Sequence, residues 1–194
     1  KSAASPASPS IRNVGSMGGN IMQRPRCWYL RGKEFNCYKK GGDFCFAVTG
    51  ENQYNAILEG ELCYIVHPSD TAPALIAFNA SAKVAGASGM KDVSFDKFFI
   101  GPRTNVLKET VLEKNELIAE ISVPTPAANT KSVFMKVTQR DVYDFAIVSI
   151  VVVAQVEGGV WKDGRVVLSG VAPTPYRATA AEEALKGQKI DEKA

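Results

Sequence analysis

The sequence predicts an α+β fold, and three observations carry that prediction. Strand-like and helix-like stretches are segregated along the chain rather than alternating regularly. Period-2 apolar patterns recur at Glu116–Pro124 and Ser132–Val137. Between residues 21 and 66 the chain carries no sustained period at all. At 194 residues there is length for one large domain or two small ones. With 45% hydrophobic and 22% charged residues, the composition is that of an ordinary globular chain. The net charge of +3 is spread thinly and no basic block is interleaved with aromatics, so nucleic acid is not an expected partner. No apolar run approaches the ~20 residues that span a bilayer. The longest, Phe145 to Val156, is interrupted by Ser149 and Gln155, and no secretory signal is visible. A membrane location is not expected.

From the N-terminus, Lys1–Ser10 is rich in Ser, Pro and Ala and reads as a linker. Ser16-Met17-Gly18-Gly19-Asn20 follows. Paired glycines bring backbone close to a neighbour, and successive N–H groups in such a turn can face a phosphate or a flavin edge. A plain tight turn is the competing reading. The helix signal at Thr71–Ala80 is preceded by Ser69 and Asp70 as candidate caps, with Pro73 tolerated in the first turn. Ala82–Val84 with Gly86, Gly89 and Val93 reads as a hairpin, and Glu116–Val123 as a strand stopped by Pro124. Thr125–Lys131 is a polar connector and the best domain boundary. Beyond it come a strand at Ser132–Val137, a helix or strand at Phe145–Val156, a turn and strand over Gly158–Leu168, and a helix at Thr179–Leu185.

All four cysteines, Cys27, Cys37, Cys45 and Cys63, lie in the aperiodic segment at spacing C-x9-C-x7-C-x17-C. Long structureless loops inside compact domains are usually functional. Two disulfides would suit a small secreted scaffold, which this chain is not. Structural zinc sites usually show C-x2–4-C pairs, which are absent here. An iron–sulfur cluster also takes four thiolates and tolerates irregular spacing. Chemistry alone orders these as cluster, zinc, then free or bridged thiols, and leaves all three open. Arg24, Arg26, Arg31, Lys39 and Lys40 flank the cysteines. They would offset thiolate charge, or simply form a solvated loop surface. Exposed aromatics such as Trp28 and Tyr29 would be typical interface anchors. The one histidine, His67, belongs to no nucleophile elbow and to no HExxH motif.

Four ordered motifs then suggest a family. Ile11-Arg12-Asn13-x-Gly15-Ser16-x-Gly18-Gly19-Asn20, His67-Pro68-Ser69-Asp70-x-Ala72-x-Ala74-Leu75, Glu116-Leu117-Ile118-x-x-Ile121-x-Val123-Pro124 and Phe134-x-Lys136-x-x-x-Arg140 together resemble the FAD-binding medium subunit of molybdenum hydroxylases. That group holds xanthine dehydrogenase, aldehyde oxidoreductase and carbon monoxide dehydrogenase. The cysteine loop resembles the branch carrying an extra [4Fe–4S] cluster, as in periplasmic aldehyde oxidoreductases and 4-hydroxybenzoyl-CoA reductase. The resemblance implies an oxidoreductase subunit that passes electrons from a molybdenum centre through FAD to an external acceptor. It implies the second lobe of a two-lobed FAD-binding domain over residues 1–125, an antiparallel sheet with helices, with a cluster loop at 21–66. An incomplete α+β C-terminal domain would follow over 132–194.

By the same resemblance Ser16, Met17, Gly18, Gly19, Asn20, Asp70, Ile118 and Lys136 contact FAD. Cys27, Cys37, Cys45 and Cys63 would hold the cluster, and no residue would be catalytic. The implied partners are a molybdopterin-binding large subunit and a [2Fe–2S] small subunit. Nothing matches the family's first, pyrophosphate-binding lobe, so a fragment is expected. The compartment would be cytoplasmic, or periplasmic if the protein is exported with a partner. A zinc-binding or thiol-based interaction module is the alternative, and a free-standing FAD enzyme of the vanillyl-alcohol oxidase type is a further one.

Overall fold

A computed structural model describes residues 1–191. Glu192, Lys193 and Ala194 of the expected C-terminal domain lie outside the described residues. Helices α1 (Pro9–Val14), α2 (Met17–Ile21), α3 (Trp28–Arg31) and α4 (Ala72–Ala77) precede strands β1 (Ser81–Gly86), β2 (Gly89–Ser94) and β3 (Leu117–Ser122). Strands β4 (Thr130–Thr138), β5 (Ala146–Glu157), β6 (Val160–Ser169) and β7 (Tyr176–Arg177) follow, and α5 (Thr179–Leu185) comes last. The architecture is α+β as expected. One antiparallel sheet runs β2-β1-β3 and a second runs β4-β5-β6-β7.

The expected hairpin pairs Ser81 with Ser94 and Gly86 with Gly89, and Gly89 takes the left-handed φ of 107° that closes it. The apolar run after Phe145 is a strand rather than a helix. Its Val and Ile content favours the pleated backbone, and cover on both faces hides the period-2 signal. Val151 and Val167 face the main core, while Val152 and Val166 pack with Trp161 and Leu185 on the other side. The β5–β6 turn uses Gly158 and Gly159 at φ 58° and 79°, the two positive values that a tight hairpin of matching twist requires.

Helix α4 sits where the two sheets meet. Leu75 and Ile76 are buried in one core with Val84, Phe95, Phe98, Val151 and Val167. The Arg165 guanidinium, on β6, donates to the Ile76 carbonyl at 2.8 Å and to Asp96 at 2.8 Å, fastening the second sheet to the end of α4. On the far side, Glu182 of α5 accepts from the Val166 amide at 2.9 Å and from Arg177 at 2.8 Å. Burial works to raise the Glu182 pKa, but the Arg177 and Val166 bonds outweigh it and hold the carboxyl below its ordinary value.

Residues 1–10 are not a linker. Ser8 caps α1 by accepting from the Ile11 amide, Pro9 occupies the first turn, and Arg12 donates back to the Pro6 and Ala7 carbonyls. A Ser-Pro pair is equally compatible with a linker and with a capped helix start, which is why composition alone misassigned it. The cysteine segment is the aperiodic loop expected, punctuated by α3 and by 3-10 turns at Tyr38–Lys40 and Phe46–Val48. Tyr29, Phe35, Phe44 and Phe46 pack there with ring centroids 4.9 to 5.9 Å apart. Tyr29 is therefore half-buried rather than exposed, whereas Trp28 is exposed. No helix among the described residues is long and apolar enough to cross a membrane.

Candidate functional site

The small-residue motif folds as a turn into α2. Ser16 is its N-cap and accepts from the Gly19 amide at 3.0 Å. A Cβ at position 19 would stand 3.2 Å from that hydroxyl and crowd the cap. A Cβ at position 18 would meet Ile118 of β3 at 3.7 Å, so Ile118 backs the turn from the first sheet.

Asn20 joins this turn to the His67–Asp70 segment. Its Oδ1 accepts from the Ser69 hydroxyl at 2.7 Å and the Thr71 hydroxyl at 2.6 Å. Ser69 Oγ in turn accepts from the Thr71 and Ala72 amides at 3.2 and 3.0 Å. Ser69 thus takes the capping role at the start of α4, where Thr71 makes no side-chain cap.

Asp70 is turned inward and is only 4% exposed. Its Oδ2 accepts from Lys136 Nζ at 2.6 Å and from the Ser5 hydroxyl at 3.0 Å, while its backbone carbonyl accepts from Ser2 at 2.8 Å. Lys136 reaches it from β4, at the register position opposite Ser149 of β5. The Pro/Ser segment at the N-terminus therefore closes over this ion pair. Ser5 is a site residue that composition could not reveal; the Ser8-Pro9 helix start was the available signal.

Two grooves meet at Asp70. One, of about 560 Å³, is lined by Met17, Asn20, Asp70 and Lys136 of the expected set, with Arg12 and Tyr143. The other, of about 480 Å³, runs past His67 and Asn55 to Cys27, with Arg140 and Ile147 on its far wall. Arg26, Pro68, Asp144 and Phe145 border both. The Arg26 guanidinium lies 4.5 Å from the centre of the Phe145 ring, a cation–π contact across the junction. Of the residues expected at the flavin, Ser16, Gly18 and Gly19 build the turn and Ile118 supports it, and none of these four lines the larger groove.

His67 is fully enclosed. Its ring is edge-on to Phe99 at 4.8 Å, and Nδ1 accepts from the Ser69 amide at 3.3 Å. Burial lowers its pKa to about 4, against smaller opposing effects from the Ile21 backbone and Glu109. The imidazole is neutral at pH 7. Its Nε2 and the Ser149 hydroxyl are buried without a hydrogen-bond partner among the described residues.

The four cysteines are free thiols that line a single void of about 10 Å³ with Leu30, Tyr38, Lys39 and Ile65. Among the described residues, no group of three or more His, Cys, Asp or Glu side chains is disposed to hold one metal ion. Burial raises the Cys63 pKa to about 11, opposed by the Ile65 amide and the nearby Lys39 charge. Lys39 is no solvated loop cation. Its side chain is 1% exposed, and Nζ donates to the Val106 and Lys108 carbonyls at 2.9 and 3.0 Å, with Glu109 at 3.4 Å. Arg24 pairs with the same Glu109 at 2.8 Å.

Comparison with known proteins fits this geometry. Residues 1–126 match the FAD binding domain in molybdopterin dehydrogenase, and residues 133–194 match the CO dehydrogenase flavoprotein C-terminal domain. The aldehyde oxidoreductase FAD-binding subunit PaoB of Escherichia coli is 34% identical over 182 residues, covering 92% of this chain and 56% of that protein. The carbon monoxide dehydrogenase medium chain of Hydrogenophaga pseudoflava is 33% identical over 129 residues, 66% of this chain and 43% of that one. A solved carbon monoxide dehydrogenase from Hydrogenophaga pseudoflava superposes with a TM-score of 0.66 at 28% identity, covering 97% of this chain and 50% of that chain. The chain spans about half the length of these relatives. By its two domain matches and the fold they share, the chain belongs to the FAD-binding domain family of molybdopterin dehydrogenases.

Proposed function

We propose that this chain forms the flavin-binding part of an electron-transfer subunit of a molybdenum hydroxylase. One observation carries the reading. Residues from three distant stretches, Met17 and Asn20 of the Ser16–Asn20 turn, Asp70 and Lys136, converge on one groove, and Ile118 backs that turn from β3. The lining suits FAD: Met17, Asn20 and the Lys136–Asp70 pair border a groove that also carries Arg12 and Tyr143, polar and aromatic groups able to meet a phosphate and a ring system. Bound FAD would supply the one- and two-electron chemistry that links a molybdenum centre to an external acceptor. The chain's own residues bind, orient and shield it, and none acts as acid or base on the substrate. The partners of this reading are a molybdopterin-binding large subunit and a [2Fe–2S] small subunit, and the exposed Trp28 offers an anchor for one of them.

The reading includes a [4Fe–4S] cluster on Cys27, Cys37, Cys45 and Cys63. Four free thiols around one void support it. A zinc ion with bonds of about 2.3 Å needs its four sulfurs about 3.8 Å apart, and no single-ion array is present among the described residues. A cluster would likewise need the thiols to part around it, since the void they line is about 10 Å³, so the reading rests on the four free cysteines sharing one void. Residues 1–125 would contribute the flavin wall and the cluster loop, and 132–194 would supply Lys136 from the C-terminal domain. The test is iron, sulfide, zinc and FAD per chain in the anaerobically purified full-length protein. About four irons and four sulfides with one FAD support the reading. One zinc and no iron would make the loop a structural zinc site, and an absence of FAD would remove the flavin assignment.

A further inference from the structure

The cysteine void is not symmetric. Cys37, Cys45 and Cys63 are buried, while Cys27 is half-exposed and also lines the 480 Å³ groove that runs to Asp70. On that open side stands Asn55. Its Nδ2 lies 3.7 Å from Cys27 Sγ and donates its other hydrogen to the Tyr64 carbonyl at 2.9 Å. The Ala56 amide donates to the same carbonyl at 2.7 Å. One side-chain amide therefore spans the two segments that carry Cys27 and Cys63, with both of its hydrogens aimed at acceptors.

We propose that Asn55 is a positioning residue that sets the reduction potential of the centre held by these cysteines, through its N–H···S bond to Cys27. The proposal rests on the cluster reading above. One-electron reduction adds a single negative charge to the centre, shared with its ligating sulfurs, and takes up no proton. An N–H donor aimed at a ligating sulfur stabilises that added charge, so the bond raises the potential and its loss lowers it. Lys39 cannot play the same part at Cys27. Its ammonium donates to two carbonyls and lies near Glu109, and it makes no bond to a cysteine sulfur among the described residues. Asn55 acts at one sulfur, and at the sulfur nearest the open groove.

The test is a dithionite redox titration of the full-length protein, followed by electron paramagnetic resonance, with iron and sulfide counted on every sample. Asn55→Ala removes the donor, and Asn55→Asp also adds a negative charge at the same position. With iron content unchanged, both variants should be harder to reduce, Asp more than Ala. A tenfold fall in the reduced-to-oxidised ratio at fixed poise corresponds to 59 mV for one electron, and Asn55→Asp should reach about that size. Unshifted potentials at full iron would overturn the proposal. So would loss of iron from Asn55→Ala, because Asn55 would then be a brace and not a tuner. Wild-type protein without iron would instead remove the cluster reading itself.

Discussion

The groove at Asp70 and the void at the cysteines are built by different means. The groove is set by turns and strands of the two sheets, and its central polar groups are bonded to one another. Asn20 bonds Ser69 and Thr71, Asp70 bonds Lys136, and Ser69 caps α4. The cysteine loop belongs to neither sheet, and its backbone bonds include those of short helical turns and of the Ile57 and Leu58 amides to the Val171 carbonyl. It is further held by an aromatic cluster, by the Lys39 ammonium and by a strand-like bridge between Cys37 and Phe44. A preorganised site changes little when its ligand leaves. A site closed by its ligand loses its order with it, since metal-binding free energy is then folding free energy.

The largest expected effect follows from that contrast. Chelation of the iron from the proposed cluster should open the 27–63 segment to protease, with cleavage faster by an order of magnitude or more. Amide exchange in β5 and β6 should stay unchanged. Equal protection of the loop with and without iron would put the two regions on the same footing.

Next comes the ion pair. Lys136 and Asp70 have side chains only 11% and 6% exposed. Lys136→Met leaves a buried carboxylate with Ser5 as its remaining side-chain partner, and should cost about 3–5 kcal/mol. Adding Asp70→Asn should restore part of that loss, because the uncompensated charge is gone. Denaturant unfolding of the three variants checks both statements. A Lys136→Met midpoint equal to wild type would mean that the pair holds nothing together.

Much of this fold can be read from the chain before any coordinates. Gly86 and Gly89 mark the first hairpin, and the alternation at Glu116–Val123 marks β3. What stayed hidden was contact across long sequence distances. Ser5 against Asp70, or Asn20 against Thr71, leaves no periodic trace, and ordered motifs only hint that such stretches meet. Lys39 shows the same gap in another way. A lysine in a charged loop reads as solvated, and only the carbonyls of Val106 and Lys108, nearly seventy residues on, make it a buried clamp. The void at the cysteines was legible as a set of residue types but not as a geometry, because irregular spacing admits several centres.

A smaller effect tests the preorganised region from within. Asn20→Ala removes the acceptor of two hydroxyls and should cost about 1–2 kcal/mol. Asn20→Asp keeps both acceptor positions and should remain nearer wild type. Urea midpoints with an unchanged m-value would locate the loss in the folded state. If Ala and Asp behave alike, the tie between α2 and α4 is not set by those hydroxyl bonds.

The smallest effect is a pH dependence, and it too separates the regions. His67 has its pKa lowered from 6.5 to about 4, with burial as the leading cause. Between those values the unfolded chain binds a proton that the folded chain does not, so stability is complete above pH 6.5 and falls as the pH drops toward 4. The slope approaches 1.4 kcal/mol per pH unit, so about 1 kcal/mol should vanish between pH 6.5 and 5.5. His67→Leu should remove that component and leave the losses from carboxylates at lower pH. Because His67 packs between the Asp70 segment and Phe99, its titration loosens the start of α4 and not the cysteine void. Amide exchange at pH 5.5 should therefore rise first at residues 67–72. A first rise within the 37–45 segment would place the weakest point of the acid-stressed protein in the cysteine loop instead.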